Sequence, residues 1–347
     1  TQKTDRPIFE KKDFVHLHLH SDYSLLQSTI QLKPLATRLT ELGQKACAIT
    51  DYGNMFGAVS FFNLMASNGI MPIIGYEAFL KFGSRHERST IVEAGEKSYY
   101  NLILLGRNLE GYQNLVQLAS KAFTEGFYYK PRIDIELLSQ KSTGLIALSA
   151  GIDGAVGHFL ANGNEEKALK NAKTLEDIFG VGNFFLEIHD QSDEKLTKET
   201  VALSKRSNIP LVATNDVHYL NKEDARAHQL LIAIGEGRTV GDNSSDILGT
   251  TRYLRSAEEM WDIFGAEVPE ALTNTVKIAE MCDLVIPQGD DVRQLPNYPI
   301  PVGESFTDAD GYFEKVLWDG FEDRKQTEWE PMIVLGTLKH DLKKYEQ

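Results

Sequence analysis

The sequence predicts an α/β fold in which a largely parallel sheet closes into a β/α barrel. Apolar β-type runs alternate with amphipathic helical patterns about seven times along the chain, which is typical of a parallel sheet covered by helices. Polar residues follow the ends of several of these runs, and that edge of a barrel carries its functional site. The 347 residues leave room for one barrel of about 200–250 residues and a further segment.

Seven strands and five intervening helices are predicted in order. The strands are Phe14–His18, Ala46–Thr50, Met71–Phe79, Leu102–Gly106, Gly144–Ser149, Asn183–Ile188 and Pro210–Asn215. Apolar residues recurring at i, i+3 and i+4 indicate helices at Leu32–Glu41, Ala58–Ser67, Gly111–Thr124, Glu165–Phe179 and Lys195–Arg206. After Leu220 the pattern changes to helices and loops. The segment from Glu304 to Gln347 has a helical pattern without an enclosed core of its own.

Composition limits the partners of this chain. Its formal net charge is −14, which disfavours strong binding of nucleic acid by the chain alone because phosphate contacts need basic surface. The basic and aromatic run Phe127–Arg132 is therefore interpreted as a loop that packs against a neighbouring domain and not as a nucleic-acid contact. Two cysteines are too few for a disulfide framework or a thiolate zinc site. No apolar run is long enough to span a membrane, so we expect a cytoplasmic protein without a membrane partner.

Histidines at alternate positions are the strongest chemical signal. His16, His18 and His20 lie in the run VHLHLHSDYS, and alternate residues of a strand share a face. Neutral imidazole is the commonest metal ligand in proteins. A second pair, Asp216 and His218, ends another apolar run. Two strand ends thus predict one metal site, whereas His16 is interpreted as a buried core group.

Longer motifs extend this pattern and carry a family resemblance. They include FVHLHLHSDYSLL, AITDYGNMFGAVSFF, IMPIIGYEAFL, GLIALSAG, LVATNDVHYLNKEDARAHQLLIAI and EALTNTVKIAEMCDLVIP, in that order. From Phe14 to Asp291 the chain resembles the amino-terminal polymerase and histidinol phosphatase (PHP) domain of bacterial DNA polymerase III alpha subunits. The resemblance implies a distorted seven-stranded β/α barrel followed by a helical extension. Intact members hold up to three metal ions for phosphoester hydrolysis, which serves 3′–5′ proofreading in polymerases.

The resemblance also implies a domain organisation. Residues 1–13 form an N-terminal extension, and residues 14–291 form the PHP barrel with its helical appendage. Residues 292–347 are expected to be a connector and the start of a truncated polymerase palm. The grouped carboxylates that two-metal nucleotidyl transfer requires do not occur after Asp291. We therefore do not expect this chain alone to synthesise DNA.

Only some of the family's metal-ligand positions are matched by a donor residue in this sequence. The matching positions are His18, His20, Glu77, Asp216 and His218, and Asp51 is retained beside them in a vestigial site. At five positions this sequence lacks the donor that the resemblance implies. Gln27 stands where Asp is expected, Gly151 where Cys is expected, and Tyr52, Asn101 and Gln191 where His is expected. His189 shares a strand face with Glu187 and could compensate for one loss.

Two hypotheses follow. In the first, the barrel is a structural and interaction module with a degraded site and no cofactor, bracing the polymerase palm and thumb. It could also dock a proofreading exonuclease subunit, and it would meet DNA through the full replicase. In the second, one zinc or manganese ion supports residual phosphoesterase or 3′–5′ exonuclease activity. The ligand losses favour the first, because amide oxygens bind metals weakly and glycine offers no side-chain donor. A free-standing histidinol-phosphate phosphatase is disfavoured, because runs such as YGNMFGAV are of the polymerase type.

Overall fold

The computed structural model describes residues 6–89, 92, 95–190, 194–239, 251–288 and 298–329. The chain divides into two compact units, Thr1–Pro287 and Gln288–Gln347. The predicted domain boundary after residue 291 stays a prediction, and Gln191 lies outside the described residues. No described helix combines the length and the apolar character needed to cross a membrane.

The first unit contains eight strands and ten α-helices in its described part. The strands are β1 (Ala46–Ile49), β2 (Met71–Lys81), β3 (Tyr100–Gly106), β4 (Phe127–Tyr128), β5 (Lys130–Asp134), β6 (Leu145–Leu148), β7 (Phe184–His189) and β8 (Leu211–Thr214). The helices are α1 (Leu32–Glu41), α2 (Ala58–Ser67), α3 (Leu109–Thr124), α4 (Ile135–Gln140), α5 (Ala155–Ala161), α6 (Glu165–Phe179), α7 (Glu194–Ser207), α8 (Ala225–Glu236), α9 (Ala257–Phe264) and α10 (Pro269–Met281).

The sheet closes through residues 14–20, which form bridges instead of a continuous ladder. Hydrogen-bonded neighbours run from β1 through β2, β3, β6 and β7 to β8. His16 then bridges Cys47 of β1, and Leu19 bridges Val217 just after β8. The main chain supports this closure, since the His20 amide donates to the Val217 carbonyl at 2.9 Å. Seven segments therefore surround the interior, and the prediction of an α/β barrel is confirmed.

The expected parallel pairing is wrong at β3. This strand runs antiparallel to both β2 and β6, while β1–β2, β6–β7 and β7–β8 are parallel. A parallel connection needs a crossover, usually a helix. The described residues between β2 and β3 contain no helix, so the chain returns beside β2 in the opposite direction.

Strand alternation fills the barrel with apolar side chains. The interior cluster includes Val15, Leu17, Ile73, Ile103, Ile146, Leu148, Phe185 and Val212. The residues that alternate with these along the strands point outward and pack against the surrounding helices; examples are Leu104, Ala147 and Leu186. Each strand therefore has one face inside and one face under a helix. This packed interior is the base on which the polar mouth of the barrel rests.

The run Phe127–Arg132 forms a hairpin of β4 and β5, so the expectation of a loop is wrong. Its expected packing against a neighbouring domain stays a prediction, and part of the run packs within the first unit. Arg132 is buried, and its guanidinium donates to the carbonyls of Gly126 and Glu87. The Lys130 ammonium lies 5.3 Å from the Phe79 ring centroid. These cationic groups serve local packing, which agrees with the acidic balance of the chain.

In the second unit, the helix α11 (Ala309–Arg324) starts at Asp308, whose carboxylate accepts from the Gly311 amide. None of its residues is buried. A π-helical turn, Lys325–Trp329, follows it. The predicted helical pattern without an enclosed core agrees with these described residues.

Candidate metal centre

The interior face of the barrel becomes acidic where several strands end. Glu77 follows Ile73 on the inward face of β2, and Glu187 follows Phe185 on β7. Asp216 comes just after β8, with a backbone φ of +43°, which is a strained conformation for a residue other than glycine. A bend at His18 ends the alternation of the first segment, so that His18 enters the mouth with His20.

Four donor atoms meet at this point. The Nε2 atoms of His18 and His20 are 3.1 Å apart. Glu77 Oε2 lies 3.0 Å from each of them, and Asp216 Oδ1 lies 3.3 and 3.4 Å away. All four side chains are buried.

These separations are those of a metal's ligand shell. Donors about 2.0–2.1 Å from a tetrahedral zinc ion lie about 3.3 Å from one another. Glu77 Oε2 and Asp216 Oδ1 each lie 3.0–3.4 Å from both imidazole nitrogens, which are 3.1 Å apart. Asp216 Oδ1 is buried and makes no well-formed hydrogen bond among the described residues. His18, His20 and Asp216 therefore form a group that could hold a metal ion, with Glu77 beside both histidines.

Charge is concentrated around the imidazoles. Burial alone would lower the pKa of His18, but Asp216, Glu187 and Glu77 raise it well above its usual value. The pKa of His20 is also raised against burial, through Asp216 and Glu77. The pKa values of all three carboxyl groups are lowered despite burial. A metal ion bound here would compete with protons for the imidazole nitrogens.

Glu187 fixes the orientation of His18 from behind. His18 Nδ1 donates to Glu187 Oε1 at 2.9 Å, which leaves Nε2 directed at the cluster. Thr214 Oγ1 also donates to this carboxylate oxygen, and His189 Nε2 lies 3.0 Å from it. A carboxylate behind a ligating histidine sets its tautomer and raises its basicity.

Asp51 supports the second histidine indirectly. Its carboxylate accepts from the Ser21 amide at 2.6 Å and from the hydroxyls of Ser21 and Ser24, each at 2.7 Å. Ser24 Oγ in turn accepts from His20 Nδ1 at 3.0 Å. Sequence reasoning missed Ser24, although its position four residues after His20 is a local signal.

Tyr52 and Asn101, two positions where the resemblance predicts a lost ligand, make contacts within the protein. The Tyr52 ring stacks on His20 with centroids 4.0 Å apart, and its hydroxyl lies 3.5 Å from His218 Nε2. Asn101 Nδ2 donates to Glu77 Oε1 at 2.7 Å. Both side chains therefore help to pack or orient the four-donor cluster.

His218 lies beside the cluster. Its Nδ1 donates to the Asp216 carbonyl at 2.8 Å, and its ring centroid is 4.5 Å from that of His20. The carbonyl of Gln27 accepts from His228 Nε2 at 2.8 Å. His16 is turned elsewhere, and its Nε2 donates to the Arg255 carbonyl at 2.9 Å.

His189 fills the space next to Gly151. A Cβ atom placed on Gly151 would lie 2.6 Å from His189 Cε1 and 2.8 Å from Nδ1. A cysteine could therefore stand at position 151 only if His189 moved. The imidazole of His189 occupies the volume that a side chain at position 151 would need. Together with His18 and Glu187, it forms a second group of donors within ligand distance of one another.

Arg252 is a charged member of the mouth that sequence reasoning missed. Its Nη1 lies 2.9 Å from Asp216 Oδ2. The His218 amide donates to the Arg252 carbonyl at 2.9 Å, so the main chain holds this residue next to the site. No motif spacing connects an arginine at this position with the histidine pair.

A cleft of about 730 Å³ opens beside the cluster. Tyr52 and Asn101, which contact His20 and Glu77, line it together with residues that include Phe56, Phe123 and Lys130. Several aromatic side chains thus line the cleft, whereas the four donors are not among its lining residues.

Comparison with known proteins identifies the family. A model of the PHP domain matches residues 16–191, which is half of the chain. The chain belongs to the PHP family. The DNA polymerase III alpha subunit of Treponema pallidum is 40% identical over 318 residues, covering 90% of this chain and 27% of that protein. The alpha subunit of Helicobacter pylori strain 26695 is 36% identical over 355 residues, covering 96% and 28%.

The predicted resemblance to the PHP domain of DNA polymerase III alpha subunits is thereby confirmed. The chain spans little more than a quarter of the length of these two relatives. A solved structure described as a candidate metal-dependent phosphoesterase from Bifidobacterium adolescentis overlaps with a TM-score of 0.39 at 11% identity, covering 74% of this chain and 97% of that one. The barrel of this chain is defined by the pairing of its own strands.

Proposed function

We propose that this PHP barrel is a structural and interaction domain of a bacterial replicative DNA polymerase and that its mouth holds one structural metal ion. The observation that carries the proposal is that Glu77 Oε2 and Asp216 Oδ1, both buried, each lie within 3.0–3.4 Å of the two imidazole nitrogens. A set of two imidazoles and two carboxylates favours zinc over a hard cation, because imidazole nitrogen is a preferred zinc ligand. The ion would stabilise the junction between residues 14–20 and the ends of β2 and β8.

A closed ligand shell supports a structural role over a hydrolytic one. Structural zinc sites have four protein ligands, whereas catalytic sites keep one position open for water or substrate. His18, His20, Glu77 and Asp216 supply four, and their side chains are at most 7% exposed. Little room is left for a metal-bound water or a phosphoester.

The replaced positions argue against a cluster of several ions. Asn101 is hydrogen-bonded to Glu77, Tyr52 is stacked on His20, and His189 fills the volume beside Gly151. Each group contributes to packing where the family resemblance implies a ligand. Two-metal hydrolysis needs a second ion about 3.5–4 Å from the first, and Tyr52, Asn101 and Gly151 do not supply the ligands that the resemblance implies. The other donor group, His18, Glu187 and His189, shares His18 with the first.

The interaction role rests on an exposed aromatic ridge formed by Phe56, Phe123 and Phe127. Neighbouring ring centroids are 6.4 and 6.1 Å apart, and each ring is 43–64% exposed. Clustered exposed aromatics are typical of interaction surfaces. The polymerase palm and thumb are the proposed partners, since the relatives are much longer than this chain. A proofreading exonuclease subunit is a further candidate.

Metal content and hydrolysis together test the proposal. Chelator-treated protein is equilibrated with zinc or manganese, desalted and analysed for metal, and the same samples are assayed on a phosphodiester and on a DNA 3′ end. We expect one ion per chain, lost in His20→Ala and kept in the control His158→Ala, without hydrolysis. Metal-dependent hydrolysis abolished by His20→Ala would instead establish the phosphoesterase alternative. The cleft beside Tyr52 and Asn101 is the observation that favours that alternative.

A further inference from the structure

We propose that the side chain of Tyr52 is a movable cover between the four donors and the neighbouring cleft, and that it sets how fast a metal ion enters and leaves. This inference deepens the proposed function and rests on the single-ion site. It starts from the exposure of the donors. Their side chains are at most 7% exposed, and none of them lines the cleft of about 730 Å³. An ion therefore reaches them only when a neighbouring side chain moves.

Among the described residues that line the cleft, three side chains hydrogen-bond to the histidine pair and its carboxylates or stack on them. These are Ser24, Tyr52 and Asn101. Ser24 is hydrogen-bonded to His20 at 3.0 Å, and Asn101 to Glu77 at 2.7 Å. Tyr52 is held differently, chiefly through its ring. It is therefore the wall residue that can turn away without breaking a short hydrogen bond to a donor.

The ring of Tyr52 covers His20. The two ring centroids are 4.0 Å apart, with an angle of 20° between the planes. The Phe79 ring is nearly parallel to that of Tyr52, at 9° and 6.2 Å. The Tyr52 hydroxyl lies 3.5 Å from His218 Nε2, which is long for a hydrogen bond. Ring stacking is a modest interaction, so the ring can leave His20 at moderate cost.

The main chain of Tyr52 is fixed, which confines the movement to the side chain. Its amide donates to Ser24 Oγ at 3.1 Å, and Tyr52 forms a bridge with Glu77 of β2. The next amide, that of Gly53, donates to the Glu77 carbonyl at 2.8 Å. The cleft that Tyr52 lines has room for the displaced ring.

A cover and a support of His20 have different effects on metal binding. A cover slows entry and exit alike, so its removal raises both rates and leaves their ratio, the affinity, nearly unchanged. A ring that only held His20 in position would act on the bound state. Its removal would weaken the affinity and raise the exit rate to the same extent.

Transfer of zinc to an excess of a chromogenic chelator in a stopped-flow instrument measures the exit rate, and competition with the same chelator measures the affinity. The parent chain is compared with Tyr52→Ala, Tyr52→Phe and the control Tyr99→Ala, which removes another ring from the cleft. Tyr52→Ala should release zinc about tenfold faster or more, because no stacked ring has to move. Its affinity should stay within about threefold of that of the parent chain. Tyr52→Phe and Tyr99→Ala should release zinc as slowly as the parent.

An unchanged exit rate in Tyr52→Ala would overturn the inference. A faster exit with an equal loss of affinity would also overturn it, because Tyr52 would then be a support of His20. The same holds for an equal acceleration in Tyr99→Ala. Circular dichroism shows whether each variant is folded. If Tyr52→Ala is not, Tyr52→Leu should still release zinc faster than Tyr52→Phe.

A parent chain that holds no zinc would contradict the proposed single-ion site, and the cover is then tested on the metal-free protein. Diethyl pyrocarbonate modifies accessible histidines, which mass spectrometry locates. Tyr52→Ala should speed the modification of His20 about tenfold relative to the parent chain and Tyr52→Phe. Equal rates of modification would show that Tyr52 does not cover the site.

Discussion

At the residue scale, the histidine pair is oriented by groups outside the four-donor cluster. Glu187 orients His18, and Ser24 connects Asp51 to His20. The sequence predicted the histidines because their alternate spacing is a local pattern. It did not predict their supports, since these hydrogen bonds join residues as far apart as His18 and Glu187.

Replacing the support behind His18 should weaken metal binding without removing a donor from the cluster. We expect Glu187→Gln to lower zinc affinity about 10–100-fold, because the amide no longer raises the basicity of the imidazole. Competition with a chromogenic chelator measures the affinity. Glu176→Gln, on α6, is the matched control at another buried glutamate. Equal affinities for the parent chain and Glu187→Gln would show that His18 needs no such support.

His16 should make stability depend on pH. Burial lowers its pKa from 6.5 to about 4, against the hydrogen bond to the Arg255 carbonyl. As the pH falls below the unfolded-state pKa, the unfolded chain gains a proton that the folded chain does not accept. The free energy of unfolding is therefore highest above the unfolded-state pKa and decreases as the pH falls toward the folded-state value. Between pH 7 and 5.5 the loss should be about 1 kcal/mol.

Denaturant unfolding in the presence of a chelator measures this effect. His16→Gln keeps a neutral donor for the carbonyl but cannot gain a proton. The free energy of unfolding of the parent chain should therefore fall more steeply with decreasing pH than that of the variant. Parallel pH profiles would contradict the assignment.

At the element scale, alternation and amphipathicity were enough to place most of the barrel. All five predicted helices exist, three of them with the predicted bounds, and six of the seven predicted strands form ladders. The first strand is bridged instead, because the chain bends at His18. The reversal of β3 was missed, since apolar periodicity carries no information on strand direction. Short elements such as β4 and α4 were also missed, because they offer too few residues for a period.

Substitutions of Gly151, in the turn after β6, and of His189 should have non-additive effects on the free energy of unfolding. Gly151 has φ +50°, and its added Cβ would meet the His189 ring. We expect Gly151→Ala to cost about 2–3 kcal/mol of unfolding free energy, from backbone strain and the clash together. Gly43→Ala, at φ +65° with nothing within 4 Å, isolates the strain and should cost about 1 kcal/mol.

A double-mutant cycle isolates the clash. Adding His189→Ala to Gly151→Ala should recover about 1 kcal/mol or more relative to additivity. The same replacement should not rescue Gly43→Ala. Additive effects at positions 151 and 189 would mean that His189 does not fill the place of the missing side chain.

At the scale of the whole molecule, the barrel combines a buried mouth with an exposed aromatic ridge. The sequence predicted the barrel, the family and the residues around the mouth, because each is encoded in long motifs. It named His18, His20, Glu77, Asp216 and His218 together, but their distances from one another depend on the tilt of strands distant in the chain, which periodicity does not specify. Nor did it identify the ridge, whose members Phe56, Phe123 and Phe127 lie in three separate segments.

We expect the other polymerase domains to cover the aromatic ridge and to slow hydrogen exchange beneath it. Phe123→Asp should change the free energy of unfolding of this chain by less than about 0.5–1 kcal/mol, because the ring is already 43% exposed. In a full-length polymerase carrying this domain, hydrogen exchange of α3 should be slower than in the isolated chain, and Phe123→Asp should remove the difference. Val181→Asp, at an 86% exposed valine, is the control. Equal exchange in both contexts would place the domain contact elsewhere.

The central claim, a single closed metal site, is tested most directly by X-ray absorption at the zinc edge of the reconstituted chain. We predict four nitrogen or oxygen ligands at about 2.0–2.1 Å, two of them with the multiple scattering of imidazole. His20→Ala should abolish this signal. Five or six ligands, or a metal–metal distance of about 3.5–4 Å, would contradict the account and indicate an open or multinuclear site.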